Sequence, residues 1–229
     1  MPLSQRIAFV SSLTLLALIL AGLVARRLYR LCYAFPAYLL AVWLGDLLMF
    51  MWSGRFYTWN FWVAKEVVYA VLKLAVALEI TSLAYGAFPQ ARIAVRVLVL
   101  IVLSGVLALV IAASGSGPDF SVLAREQLRR TANGVAVVYC GVWGLVLWYR
   151  LPLHPLHGAI LRGLVVYLLT FAAASTATLE FGEGVRQAAN IVEAATWTAL
   201  LTYWIWTVWR PQRTSTPFMM RLQQWRGRA

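Results

Sequence analysis

The stretch NFWVAKEVVYAVLKLAVALEITSLAY, residues 60–85, decides how this chain folds. It is long and apolar enough to cross a bilayer as one helix, yet it carries Lys65, Glu66, Tyr69, Lys73 and Glu79. Of the 20 basic residues only Lys65 and Lys73 are lysine; the rest are arginine. At about 100° per residue, with Lys65 at zero, Glu79 falls near −40°, Tyr69 near 40°, Lys73 near 80° and Glu66 near 100°, an arc of roughly 140°. A charge at the bilayer centre costs at least about 2.5–3.5 kcal/mol. This face therefore turns into protein or a wet cavity, away from lipid.

The rest of the chain supplies the surroundings. Of its 229 residues 62% are hydrophobic and only 12% charged, more apolar surface than a soluble domain of this size needs. The apolar runs are too long for the strands of an outer-membrane barrel. The expectation is an all-α polytopic membrane protein, a bundle of seven transmembrane helices in a bacterial cytoplasmic (inner) membrane. The spans fall at about 7–25, 36–52, 60–85, 95–113, 121–149, 160–179 and 188–209, one domain over 1–209. A basic amphipathic cytoplasmic tail, 210–229, follows, either a short helix lying on the anionic inner leaflet or a frayed basic terminus. The first span is read as a retained helix rather than a cleaved signal peptide, because its apolar core is long and Arg26 and Arg27 follow it directly.

A net charge of +12 would suggest nucleic acid in a soluble protein. Here the arginines lie mostly between apolar runs, so they report topology and no nucleic-acid partner. Arg26, Arg27, Arg30, Arg92, Arg96, Arg150, Arg162 and those from Arg210 onward fall on one side. Arg6, Arg55, Arg125, Arg129, Arg130 and Arg186 fall on the other. The bias places the N-terminus outside and the C-terminus inside. Cys32 and Cys140 form no disulfide framework.

Depth narrows which charges can meet. Lys65 lies about 7 Å below the outer end of its span, Asp46 about 10 Å and Glu193 about 8 Å, so with Glu66 they form one outward-facing layer. Lys73, about 20 Å down, has no carboxylate clearly at its own depth. Asp46, Lys65, Glu66, Tyr69, Lys73, Glu193 and Trp197 form either a ligand or ion pocket among spans two, three and seven, or a structural ion-pair cluster. On span seven Asn190, Glu193, Trp197 and Trp204 share about 60°, which suits an aromatic pocket wall or packing and an interfacial belt. The small residues of AAASTAT, 172–178, suit close helix packing.

His154 and His157 have the spacing of two metal ligands but no further ligand converges on them, which favours a solvated loop pair. No P-loop, nucleophile elbow, HExxH or CxxC is present. No catalytic residue, metal site or cofactor follows from the sequence. Span seven has no lysine, which disfavours a retinal protein. Tyr29-Arg30-Leu31 matches Tyr149-Arg150-Leu151 after spans one and five, compatible with a three-plus-one-plus-three parallel repeat like that of sugar-facilitator transporters.

The runs VVYCGVWGLVLWYR (137–150), HPLHG (154–158), WTALLTYWIW (197–206) and ALEITSLAYGAFPQARIAVR (77–96) resemble an uncharacterised seven-helix membrane family associated with acidobacterial genomes. The resemblance covers nearly the whole chain and implies the seven-helix fold, with no activity attached. The paired histidines of that pattern stand apart here as His154 and His157.

Three functions fit. The first is a sensory or ligand-binding module in the lipid bilayer that acts through a separate cytoplasmic transducer. The second is a structural subunit among other membrane proteins. The third is a small transporter with Lys73 as a midplane anion site. Alternating access favours helices broken by Gly or Pro at the site, and span three has neither, so transport ranks last.

Overall fold

In lipid every backbone N–H and C=O has to be satisfied inside its own segment, so long apolar runs fold as helices. In the described helices proline is confined to first turns, Pro36 and Pro155, where the missing N–H breaks no helical bond. In the computed structural model the described residues are 3–56, 58–84, 93, 97, 100, 101, 120–151 and 153–210, with side chains described from 9 in the first helix and from 132 in the fifth.

The described regular structure is helical throughout. It comprises α1 (Leu3–Ala25), α2 (Ala34–Met51), the short α3 (Ser53–Phe56), α4 (Trp59–Ala84), α5 (Phe120–Trp148), α6 (Pro155–Phe181) and α7 (Glu183–Trp209), with a 3-10 turn at Leu28–Arg30. Among the described residues three stretches are long and apolar enough to cross a membrane: α2, α4 and Pro155–Thr178 of α6. Shorter apolar stretches run over Phe9–Ala25 in α1 and Ala132–Trp148 in α5.

The six long helices close a ring in the order α1, α2, α4, α5, α6, α7 and back to α1. Its two ends are built differently. At one, Leu16, Ile19, Leu23, Phe35, Leu39, Leu74, Ile80, Val138, Tyr139, Ile160, Leu164, Leu201, Trp204 and Val208 fill the interior. Arg26 locks this core end by donating from Nη1 to the carbonyls of Val208 at 2.7 Å and Arg210 at 2.6 Å. At the other end, where α2 and α6 finish and α4 and α7 begin, the interior is a cavity.

Close approach needs glycine at particular places. A Cβ at Gly45 would strike the Tyr69 hydroxyl and the Lys65 stem, and one at Gly163 would strike Leu200 and Trp204. The α6–α7 pair therefore meets tightly at Gly163. The 172–178 stretch, expected to seat a neighbour, instead lines openings: Ala174, Ser175 and Thr178 face the cavity, and Ala172, Ala173, Thr176 and Ala177 face a second concavity against α5.

Two expected loops are absorbed into helices. Glu180 lies in the last turn of α6 and Glu183 opens α7, so the gap expected between spans six and seven, 180–187, closes to Gly182. Gly182 alone makes the turn, at φ 70° and ψ −155°, a region open essentially to glycine. His154 caps α6, its Nδ1 accepting from the Leu156 N–H at 3.3 Å, so α6 starts five residues earlier than the sequence reading placed it.

The suggested repeat shifts register: Arg27 (φ 54°) and Arg150 (φ 46°) each sit left-handed two residues past α1 and α5. In this backbone feature Arg150 matches Arg27, not Arg30. Most of span four (95–113), the turns at 86–92 and 114–119 and the tail from 211 lie outside the described residues, and the polar turn of Arg125, Glu126, Arg129 and Arg130 lies where side chains are not described.

Candidate functional site

The cavity measures about 740 Å³, within the size range of small-ligand sites. Asp46, Lys65, Glu66, Tyr69, Lys73, Glu193 and Trp197 all line it. Position along each helix sorts its walls into layers.

Counting from the helix ends at the mouth, Trp62, Thr178 and Arg186 lie about 4–5 Å in. Asp46, Lys65, Glu66, Ser175 and Asn190 lie about 8–11 Å in, and Tyr69, Phe171 and Glu193 about 15 Å in. Tyr38, Lys73, Tyr167 and Trp197 form the floor, about 20 Å down. Glu193 therefore sits below the Asp46–Lys65–Glu66 layer rather than in it. The cause is the early start of α7 at Glu183, which the single-residue turn at Gly182 allows.

In the upper layer Lys65 Nζ stands 3.6 Å from Asp46 Oδ1, both side chains largely buried. The ammonium also lies 3.5 Å from Met49 Sδ and 5.4 Å from the centre of the Tyr69 ring. Tyr69 donates its hydroxyl to the Val42 carbonyl at 3.2 Å and meets Tyr38 edge-on at 6.3 Å. This part of the cluster is self-satisfied and ties α2 to α4, as the structural alternative requires.

The floor is different. Lys73 Nζ lies 5.9 Å from the centre of the Tyr38 ring, a cation–π contact. Tyr139 donates to the Lys73 backbone carbonyl at 2.7 Å, fixing α4 against α5. Trp197 packs on Tyr167 at 5.1 Å and donates from Nε1 to Ser12 Oγ at 3.1 Å. Among the described residues Lys73, Glu66 and Glu193 form no ion pair. α4 and α7 are opposite each other in the ring, so Glu66 and Lys73 face Glu193 and Trp197 across the cavity.

Other expectations separate. Glu79, on the same arc as Lys65, does not line the cavity. It lies lower and holds the start of α2: its carboxylate accepts from the backbone N–H of Tyr33 at 2.8 Å and Ala34 at 2.7 Å, and from the Cys32 thiol at 3.1 Å. Burial, then the bond to Glu79, pushes the Cys32 thiol up to about 12. Trp204 leaves the Glu193 face for the core, edge-on to Phe35 at 5.0 Å. Trp206 and Trp209 are exposed near the core end.

The two histidines are not a solvated loop pair. His157 is buried and its Nε2 lies 3.0 Å from the Leu31 carbonyl, with His154 at 5.6 Å between ring centres. Burial and the neighbouring His157 lower the pKa of His154. Among the described residues no group of three or more His, Cys, Asp or Glu side chains is placed to hold a metal. Cys32 and Cys140 are both free thiols.

Tyr38, Tyr167 and Arg186 also line the cavity, beyond the residues expected there. Their signal lay in spacing: Tyr38, Val42 and Asp46 stand four apart on α2, Tyr167, Phe171 and Ser175 four apart on α6, and Arg186, Asn190, Glu193 and Trp197 follow one face of α7. Comparison with protein-family models, curated proteins and solved structures returns no match, so the geometry alone carries the functional argument.

Proposed function

We propose that this chain is a ligand-binding membrane module that senses through a separate partner. It spans the bilayer seven times, N-terminus outside and C-terminus inside, in a cytoplasmic membrane. α4 ends and α5 begins at opposite ends of the ring, which leaves a return crossing to the residues between them; Ile93, Val97, Leu100 and Ile101 there are helical and exposed. Together with the six long helices this makes seven spans. The arginine bias turns the cavity outward.

The observation that carries the binding role is three charges, Lys73, Glu66 and Glu193, that face one cavity and form no ion pair among the described residues. Unpaired charge at membrane depth is costly, and a bound ligand removes that cost. Below the floor the ring is packed with apolar side chains, and α4 runs unbroken. A closed-bottomed cup of this kind suits reception better than transport. Arg26, Arg27, Arg150 and Arg210 are exposed at the core end, a basic surface for a transducer.

The second role, a subunit of a larger complex, draws on an exposed small-residue stripe of α7, Ala194, Ala195, Thr198, Ala199 and Thr202, that suits another helix. Native mass spectrometry of protein gently extracted from its own membrane separates the two. A bare chain carrying a small molecule that is lost in Lys73→Leu supports the module. A stoichiometric protein partner with an empty cavity supports the subunit.

A further inference from the structure

Below Arg186 at the mouth, the charges around the cavity fall into two groups. Asp46 and Lys65 neutralise each other at 3.6 Å in the upper layer. Lys73 on the floor and the carboxylates of Glu66 and Glu193 above it are left to the ligand. Glu193 is one turn, about 6 Å, above Lys73 along the ring axis and on the opposite wall; Glu66 is two turns, about 10 Å, above Lys73 on the same helix.

A ligand with only an acid group would meet Lys73 but bring a third negative charge under Glu66 and Glu193. A ligand with only an ammonium would meet the carboxylates but set its charge over Lys73. Either leaves one like-charge contact in a low-dielectric pocket. A short zwitterion satisfies both. The walls between these charges are aromatic: Tyr38, Tyr167 and Trp197 on the floor and Phe171 above. They accept an apolar body, and Trp197, one turn below Glu193, presents a ring to an ammonium held there.

We propose that the cavity recognises a small zwitterion of amino-acid type, with its acid group on Lys73, its ammonium at Glu193 and Glu66, and an apolar body against Tyr38, Tyr167 and Trp197. The inference rests on the cavity being a binding site. A phosphatidylethanolamine headgroup carries the same ammonium-and-acid pair, so the shared chemistry has a free and a lipid source.

The test uses the full chain in nanodiscs of phosphatidylglycerol and three probes of one skeleton: L-phenylalanine, phenethylamine and 3-phenylpropionate. Thermal unfolding is followed against probe concentration. L-phenylalanine is expected to half-saturate at about tenfold lower concentration than either analogue, one charge contact's worth of affinity. Lys73→Met should remove its advantage over phenethylamine, and Glu193→Gln its advantage over 3-phenylpropionate. Lys73→Arg, which keeps the charge, should restore part of the first.

Equal or better response to a singly charged probe in the wild type overturns the zwitterion and leaves the pocket standing. A cavity empty in native mass spectrometry, with no response to any probe, removes both. Variants that weaken all three probes alike also overturn the charge assignment. Repeating the titration with phosphatidylethanolamine in the nanodisc identifies the source: a response abolished there marks the lipid headgroup, and one retained marks a free zwitterion, either result upholding the charge pair.

Discussion

Glu79→Ala tests how the core end is held together. α2 starts at Ala34 behind Tyr33, whose side chain makes no capping bond, so the first N–H groups of the helix look outside it for acceptors. Glu79 supplies them from α4, 45 and 46 residues away, at 2.7 and 2.8 Å. A hydrogen bond to a charged group contributes about 1.5–3 kcal/mol. Tyr33 is 64% exposed, so water replaces its acceptor and that bond counts for little. The Ala34 bond is half-buried and counts nearly in full, and a negative charge at a helix N-terminus adds about 0.3–1 kcal/mol.

The expected loss is therefore about 2 kcal/mol, with Glu79→Gln, which keeps one acceptor oxygen, losing about half of it. The assay is reversible unfolding in mixed micelles, read by far-UV circular dichroism and by alkylation of Cys32. Burial is the larger cause of the raised Cys32 thiol and remains in both variants, but removing the carboxylate takes away the part due to Glu79, so alkylation should quicken in both. A loss below about 0.5 kcal/mol in Glu79→Ala, with alkylation unchanged, would refute the capping argument.

Three further outcomes are expected. Gly182→Ala should destabilise by about 1–3 kcal/mol from backbone conformation alone, since nothing lies within 4 Å of the added Cβ; Gly184→Ala, equally open but helical, should not, and equal effects would remove the argument. A double-mutant cycle over Asp46→Asn and Lys65→Met should give a coupling of about 0.5–3 kcal/mol, while additivity would show the 3.6 Å pair to be idle.

His154 is held below its ordinary pKa of 6.5, so the unfolded chain takes up its proton first as pH falls. Its contribution is flat above about 6.5 and declines below it. Denaturation curves at about pH 7 and pH 5 should therefore lie closer together in His154→Asn, which retains an N-cap residue; an unaltered pH slope would assign the dependence elsewhere.

The residues 60–85 disclosed the helix and its charged face, and depth put Asp46 in one layer with Lys65, Glu66 and Glu193; the structure then pairs Asp46 with Lys65 and drops Glu193 below them. All seven predicted site residues line one cavity. What was not legible followed from partners distant in sequence. Glu79 shares the arc of Lys65, and angle alone cannot say that one face of a helix is cup above and core below. The histidines read as solvated because nothing local indicates that the carbonyl of Leu31 will meet His157. Glu193 was placed too high because the acidic stretch LEFGEGV, 179–185, reads as a loop until Gly182 is seen to turn the chain by itself.

By itself the sequence determined that this chain is helical and apolar, with charges that cannot face lipid, because those are one-dimensional properties of composition and period. Only the tertiary structure decided which charges neutralise each other and which form no ion pair among the described residues. That depends on ring closure: packing α7 against α1 sets α4 opposite α7, bringing Lys73 and Glu193 around one space while leaving Lys65 beside Asp46. Pair energies depend on distances of a few ångströms, and those are fixed by helix packing rather than by any stretch of chain.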